Sequence, residues 1–373
     1  MIKFLSKTNK KNIAGTALLR LDFNTQDDWR MKATLPTLKF LCETSKNIVI
    51  MSHRGRPQNV VIKDGTIISC DKSLSLRDDA KNLSRILKRK IIFIEHFRFD
   101  EIRETIKKSQ KGSIFLLENL RFVEGEEKND KSFAKELASL GDFYVNDAFA
   151  VSHRANASIC SITDFLPHYA GLELEKEIKY LGAVMEKPRR PLIFIIGGAK
   201  VSDKLAVIKF FKNKTDQFIL GGGSLNTILS LRGMDVKKSL IDNDEKDVKE
   251  LKSISKYKNI IQPVDFTWKK DAIVDLGIKS ANLFAKYISK AKTIIWSGPV
   301  GMADKGEDKG SILIAKAVVS NKKAISIAGG GETVLFLKKK KFDKKFSFIS
   351  TGGGALLDFL AGKKLPGIVA LEK

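Results

Sequence analysis

Residues 191–204 read PLIFIIGGAKVSDK. An uninterrupted apolar run ends in Gly197 and Gly198, and then Lys200 and Lys204 follow four positions apart. A strand that is apolar at every position, not at alternate ones, suits a parallel sheet covered on both faces. The glycines and lysines after it are what a phosphate-binding turn would use, with backbone N–H groups and point charges. Yet the stretch does not fit GxxxxGK followed by Ser or Thr, and no other part of the chain does.

Similar runs recur along the chain: TALLRLDF, NIVIMS, KIIFIEH, SIFLLEN, DFYVNDAF, QFILGGG, TIIWSG, AISIAGGG and FSFISTGGG. Amphipathic segments separate them, which predicts an α/β architecture with parallel sheets. No repeat suggests a solenoid. At 373 residues the chain is long for one core and suits two domains. The division is expected over 172–186, where Leu172, Leu174, Ile178, Leu181 and Val184 share a helical face. Pro188 and Pro191 then stop the helix. An ordinary surface helix fits that stretch equally well.

Composition excludes several classes. Hydrophobic residues are 43% and charged residues 29%, as in a globular protein with large cores. No apolar run approaches the ~20 residues of a membrane helix, and the start, MIKFLSKTNKKNIAG, lacks the apolar stretch and cleavage site of a signal peptide. Cys42, Cys70 and Cys160 lie far apart without a CxxC pair, which points to a reducing, cytoplasmic setting and away from disulfides or a metal cluster. The net charge of +24 would attract polyanions. Its lysines, however, are dispersed in clusters such as KNLSRILKRK and FLKKKKFDKK, without the interleaved aromatics of a stacking platform. A solvated lysine-rich surface is the expectation.

The strand ends separate the two halves. In open α/β sheets, ligands bind beyond the carboxyl ends of the strands. In the first half those ends carry Asp22, Asn24, His53, Arg56, Arg121, His153 and Arg154. In the second they carry Gly197-Gly198, Gly221-Gly222-Gly223, Gly298 with Gly301, Gly329-Gly330-Gly331 and Gly352-Gly353-Gly354. One glycine pair is most often a tight turn; five sets in one half point to nucleotide binding. Each arginine alone reads as a surface residue and each histidine as a structural one. Together the arginines form a site for a small phosphorylated or carboxylated anion. The GxSxG elbow of a hydrolase and the GxGxxG dinucleotide fingerprint are both absent. A two-domain phosphotransferase remains, with nucleotide in the second half and a small anion in the first.

RLDFN, ATLPTLKFL, SHRGRP, GSIFLLENLRF, NDAFAVSHRANAS, GGAKVSDK, QPVDF, TIIWSGPVG, ISIAGGGET and STGGGALLDFLAGKKLPG resemble the phosphoglycerate kinase family in order and spacing over nearly the whole chain. The resemblance implies two Rossmann-like domains joined by an inter-domain helix and hinge: residues 1–171 for 3-phosphoglycerate, the helix 172–186, and 187–354 for ATP. A tail from about 355 to 373 would return to the first domain. It also implies Mg²⁺, hinge closure, a glycolytic role and a monomer. The cytoplasmic setting comes from the cysteines and the lack of a membrane partner from the apolar runs. A nucleic-acid-binding role, prompted by the +24 charge, is a rival that no helix-turn-helix, zinc-finger or RNP-like signature supports. By the same resemblance, Asp22 and Asn24 would hold the glycerate end, and His53, Arg56, Arg121 and Arg154 the distal phosphate. Arg30 and Lys200 would neutralise the transferring group. Lys204 would hold the nucleotide phosphates, with Gly198, Gly222, Gly223, Pro299 and Met302 framing adenine and Asp304 on the ribose. Gly330, Gly331, Glu332 and Thr333 would receive phosphates and metal, Glu332 as the metal ligand, and Gly353 would offer an amide to the moving group alongside Gly331.

The chain departs from the family pattern at several points. Glu332 stands where the family commonly has Asp, Ser297 where it has Asn, and Ala303-Asp304 where it has Phe-Glu. Thr25-Gln26 replace Val-Pro, and the segment between QPVDF and DLG is short. A weakened relative that only binds nucleotide or polyanions is the rival reading suggested by Glu332 and Ser297. The intact arginine set argues for an active enzyme.

Overall fold

The computed structural model describes every residue except Gln26, so the part of the Thr25-Gln26 departure that falls on Gln26 lies outside the described residues. The chain divides into two compact units, Met1–Ile178 with Lys364–Lys373, and Lys179–Lys363.

Unit 1 contains β1 (Ala17–Arg20), β2 (Ile48–Met51), β3 (Val61–Lys63), β4 (Thr66–Ser69), β5 (Ile91–Ile94), β6 (Ile114–Leu117), β7 (Phe143–Asn146) and β8 (His168–Ala170). Six of these form one sheet in the order β5-β6-β2-β1-β7-β8, with every pairing parallel. Its central strands are buried at every position, as their unbroken apolar runs require. β3 and β4 form a separate antiparallel hairpin, turning at Asp64 (φ 47°) and Gly65 (φ 72°). The C-terminal segment packs on this unit. Gly367 N donates to Ser152 O (2.8 Å), the Met1 amino group donates to Glu372 O (3.0 Å), and Lys373 pairs with Asp164.

Unit 2 contains β9 (Leu192–Ile196), β10 (Gln217–Leu220), β11 (Phe266–Lys269), β12 (Ala272–Leu276), β13 (Thr293–Ser297), β14 (Ile325–Gly329) and β15 (Phe348–Ile349). Its parallel sheet has the order β10-β9-β13-β14-β15. Counted along this sheet the order is 2-1-3-4-5, a doubly wound arrangement whose connections reverse between β9 and β13. β11 and β12 make a second antiparallel hairpin in the segment that is short for the family.

That reversal point is where backbone lies directly on backbone. A Cβ on Gly197 would land on Pro299 O, one on Gly298 on Gly197 O, and one on Gly222 on Gly198 O. Gly198 N donates to Pro299 O (2.8 Å) and Gly223 N to Gly198 O (3.1 Å). Gly298 also sits at φ 91°, a region other residues enter only with strain.

The helix Leu172–Glu186 starts on a buried carboxylate. Asp147 Oδ1 accepts the N–H groups of Glu173 and Leu174, each at 2.9 Å, while Thr37 Oγ1 accepts that of Leu172 (3.0 Å). Three orphan donors of the first turn are thereby satisfied. Burial raises the Asp147 pKa to about 6 against those stabilising hydrogen bonds. Burial also raises Glu173 to about 7, with Asp147 adding to the rise and Lys176 opposing it.

Four outcomes are expected. Gly298→Ala should cost more than about 2 kcal/mol in urea unfolding, whereas Gly182→Ala, with open space at its Cβ inside the 172–186 helix, should gain about 0.5–1 kcal/mol. Asp147→Ala should cost about 1–2 kcal/mol through the lost cap. The raised carboxyl pKa values mean that the folded state binds protons which the unfolded chain releases near pH 4. The contribution of these groups is therefore full below about pH 4 and lost as pH rises through about 6 and 7. Asp147→Asn, which keeps the acceptor oxygen, should flatten the lower part of that slope; an unchanged slope would contradict the assignment.

Candidate functional site

In unit 1 the reversal of strand order falls beside β1, and the loops after β1, β2, β6 and β7 carry the chemistry. Asp22 is buried. Its Oδ2 accepts from Arg30 Nη1 at 2.8 Å and its Oδ1 from Asn24 N at 2.9 Å. Asn24 Oδ1 in turn accepts from Gly55 N (2.9 Å), tying the loop after β1 to the loop after β2. The Arg30 guanidinium also lies 5.4 Å from the Trp29 ring centroid. Arg121 donates to Gly55 O and pairs with Glu127 at 3.2 Å. Arg154 is half-buried against His153 (3.4 Å). Arg56 is exposed at the rim.

His53 stands at the centre, 1% exposed. Burial holds its pKa well below the ordinary value, and Arg20, Arg121, Arg154 and Arg30 push it down further. Burial keeps it neutral at pH 7, and the excess of positive charge around it acts in the same direction. The Arg121 guanidinium is likewise lowered to about 10, chiefly by burial, with Arg154 contributing and Glu127 opposing. Such a surplus is relieved by an incoming anion.

Sequence reasoning passed over two residues here. Arg20, 2% exposed, donates from Nε to Ser158 Oγ (2.8 Å), contacts His53 Nδ1 (3.2 Å) and pairs with Glu126 (3.7 Å). The available signal was a lone arginine inside the apolar run ALLRL. Arg54 binds Asp79 (2.6 Å) and the carbonyls of Phe23 (2.9 Å) and Thr25 (3.1 Å), clamping the segment before Arg30.

In unit 2 a cavity of about 350 Å³ opens beyond the carboxyl ends of β9, β10 and β13. Gly198, Gly222, Gly223, Pro299, Met302, Asp304 and Glu332 all line it. Its walls are mainly apolar: Leu225, Leu240, Ile273, Val300, Leu335 and Phe336. A flat, mostly apolar body such as a nucleobase fits such walls. Most of these residues were not anticipated, because single aliphatic residues on separate elements carry no local motif. The cavity also holds Asp275, 3% exposed, which accepts from Gly310 N (2.6 Å) and Leu276 N (2.8 Å). Burial raises its pKa to about 6, with Asp308 and Glu307 adding to the rise.

The phosphate-type residues cluster at one end. A Cβ on Gly198 would lie 3.4 Å from Glu332 Oε2 and 3.6 Å from Lys204 Nζ, so all three face one space. Lys204 Nζ donates to Lys200 O (2.8 Å). Burial lowers its pKa, opposed by Asp203 and Glu332 and aided by Lys200. Lys200 is exposed. In the helix Gly331–Lys339 the first N–H with a helical partner is that of Val334, bonded to Gly330 O (3.0 Å). The amides of Gly331 and Glu332 precede it at the positive end of the helix dipole. Thr333 is fully buried, and its hydroxyl accepts from Gly298 N (2.6 Å). Ser297 Oγ lies 3.6 Å from the Cβ position of Gly330. Gly352 N is engaged by Ser350 Oγ (3.1 Å), while Gly331 and Gly353 have open space around them.

A family model described as phosphoglycerate kinase matches residues 13–363. Among relatives, the phosphoglycerate kinase of Dictyoglomus turgidum is 38% identical over 95% of each chain. That of Trichodesmium erythraeum is 37% identical over 99% of each. The crystal structure of the Pyrococcus horikoshii OT3 phosphoglycerate kinase gives a TM-score of 0.86 at 30% identity, covering 100% of this chain and 98% of that one. The Coxiella burnetii structure gives 0.83 at 31%, covering 100% and 99%. Parallel sheets, an arginine cluster around a buried histidine and a mainly apolar cavity beside glycine loops thus occur together in one sequence, and the chain belongs to the phosphoglycerate kinase family.

Proposed function

We propose that this protein transfers a phosphoryl group reversibly between ATP and the carboxylate of 3-phosphoglycerate, giving ADP and 1,3-bisphosphoglycerate. The observation that carries this reading is the convergence of Arg20, Arg30, Arg121 and Arg154 on a neutral, buried His53: a preformed positive site for a small phosphorylated acid. His53, Arg56, Arg121 and Arg154 would hold the distal phosphate, and Asp22 with Asn24 the glycerate end.

In the forward step a carboxylate oxygen attacks the γ-phosphorus as the bond from γ-phosphorus to the bridging oxygen breaks, and ADP leaves. No general base is required, because the carboxylate is already ionised at neutral pH. What the protein must supply is alignment and positive charge around the moving group. Arg30 supplies it from the anion site, its guanidinium fixed by Asp22 (2.8 Å) and the Trp29 ring. Lys200, Lys204 and the amides of Gly331 and Gly353 supply it from the nucleotide side. The base would lie between Gly198, Gly222, Gly223, Pro299 and Met302, with Asp304 at the ribose.

The donor set suits Mg²⁺, which prefers one or two carboxylates plus phosphate oxygens and water to an all-protein cage. Glu332 offers one exposed carboxylate beside Lys204, and no cluster of three or more potential ligands exists among the described residues. When bound, the ion would offset charge on the nucleotide phosphates. We further propose that the residues 1–171 and 187–354 act as domains closing about the 172–186 helix, which would exclude water from the transfer. No helix among the described residues is long and apolar enough to cross a membrane; a cytoplasmic, monomeric enzyme is part of the proposal and rests on the family resemblance and on the three unpaired cysteines.

The test is ATP-dependent phosphorylation of 3-phosphoglycerate, coupled to acyl-phosphate reduction by a dehydrogenase and NADH. Arg30→Ala and Lys200→Ala should each lower kcat by about 100-fold or more, and full turnover in both would defeat the assignment. Glu332→Gln should weaken ADP binding about tenfold when Mg²⁺ is present and leave metal-free ADP binding within about twofold. Equal loss in both titrations would mean that Glu332 acts on the pocket and not through the ion.

A further inference from the structure

Unit 2 carries most of the chain's positive charge. Lys179–Lys363 contains 35 Lys and Arg against 18 Asp and Glu, or +17 of the net +24. Each strand of its parallel sheet is entered through an exposed cation: Lys214 before β10, Arg190 before β9, Lys292 before β13, Lys323 before β14 and Lys345 before β15. A second exposed Lys or Arg stands within two residues of each. Because all five strands run parallel, these residues share one edge, opposite the glycine loops and the nucleotide-type cavity.

Hydrogen bonds between neighbouring entry loops fix the row. Arg190 Nη2 donates to Lys214 O (2.7 Å), Lys292 N to Pro191 O (2.8 Å), and Ile325 N to Lys292 O (3.0 Å). Ser326 N donates to Ser347 Oγ (3.1 Å). Arg190 pairs with Asp216 at 3.4 Å; the other four have no acidic partner among the described residues. With strands about 4.8 Å apart, the row extends about 19 Å, the length of about six phosphates on one strand of a duplex.

A lysine at a helix C-terminus offsets the helix dipole. The helices Ser202–Phe211, Ile278–Ile288 and Lys309–Ser320 end at this edge, and one cation apiece would serve them. Two per strand exceeds that need. Membrane docking calls for exposed apolar anchors, and none of the large exposed hydrophobic residues lies in these entry loops. The nearby rings of Tyr257 and Phe210 each carry a lysine over one face, Lys212 (4.7 Å) and Lys214 (3.6 Å), an arrangement that favours backbone charge over the stacking of unpaired bases. What remains is a row of charge along one sheet edge, its loops tied to one another by hydrogen bonds, which matches a phosphate backbone and reads no base edges.

We propose that the strand-entry edge of unit 2 binds the backbone of double-stranded nucleic acid without sequence preference, independently of the kinase site. The full-length protein, with ADP saturating, is titrated against a fluorescein-labelled duplex of about 20 base pairs and anisotropy is followed at several salt concentrations. Binding in the micromolar range at low salt is expected, with a log–log salt slope of about −4. Joint Lys214→Gln, Lys292→Gln, Lys323→Gln and Lys345→Gln substitution should weaken binding about tenfold or more while the coupled kinase assay stays intact. Joint Lys10→Gln, Lys11→Gln, Lys107→Gln and Lys111→Gln substitution, on exposed lysines of unit 1, should leave it within about twofold. Equal weakening by both sets, displacement of the duplex by ADP, no binding at about 50 mM salt, or binding to phosphatidylserine vesicles but not to duplex would each overturn the proposal.

Discussion

The cavity of unit 2 depends on backbone meeting backbone where β9 and β13 diverge. Two parallel strands whose connections leave in opposite directions open a crevice at their carboxyl ends, but only if the departing chains pass within contact distance of each other. Gly197, Gly198, Gly222 and Gly298 allow this because a Cβ at Gly197, Gly222 or Gly298 would collide with main-chain atoms. Several of their N–H groups are consumed in the process: Gly198 binds Pro299 O, Gly222 Val300 O and Gly223 Gly198 O. These glycines therefore shape the crevice more than they solvate a phosphate. The free donors lie elsewhere, at the start of the Gly331–Lys339 helix.

Unit 1 solves the opposite problem. It has no shortage of side chains at its strand ends; it has more positive charge than its own carboxylates balance. Asp22, Glu126 and Glu127 each engage an arginine, yet His53 still experiences four guanidinium groups and stays neutral. Holding like charges together costs stability, and the scaffold offsets that cost with apolar strands buried at every position. The arrangement is pre-set, so a phosphorylated acid would find its partners already oriented.

Much of this was legible in the sequence. The ten apolar runs all became strands, because a strand buried on both faces must be apolar throughout. The glycine sets and the arginines fell at carboxyl ends for the same topological reason. The two hairpins and β8 were not read. VIKDGTIIS carries the Asp-Gly turn signal but sits among polar residues that read as loop, and Lys270-Asp271 makes its left-handed turn (φ 47° and 62°) without glycine. Arg20 was missed because a buried arginine looks like noise in an apolar run until its partners Glu126 and Ser158, more than a hundred residues away, come into view. The apolar walls of the nucleotide-type cavity are distributed over five separate segments, and no local pattern can reveal a surface built that way.

The positive charge of unit 2 follows from the same topology. In a doubly wound sheet the helices start at the carboxyl ends of strands and finish at the amino ends. The N-termini thus face the ligand crevice and favour phosphate, while the C-termini gather at the opposite edge. A chain that places cations at its helix C-termini to balance their dipoles must concentrate them on that edge, because the fold provides nowhere else for those termini. Here the loops add a further Lys or Arg per strand, and Thr293 Oγ1 locks one of them in place through Arg189 O (2.7 Å). One end of unit 2 is consequently positive through its backbone and recessed around a cavity, and the other is positive through exposed side chains along a sheet edge. The first geometry selects a small anion that can enter; the second can only meet an extended one.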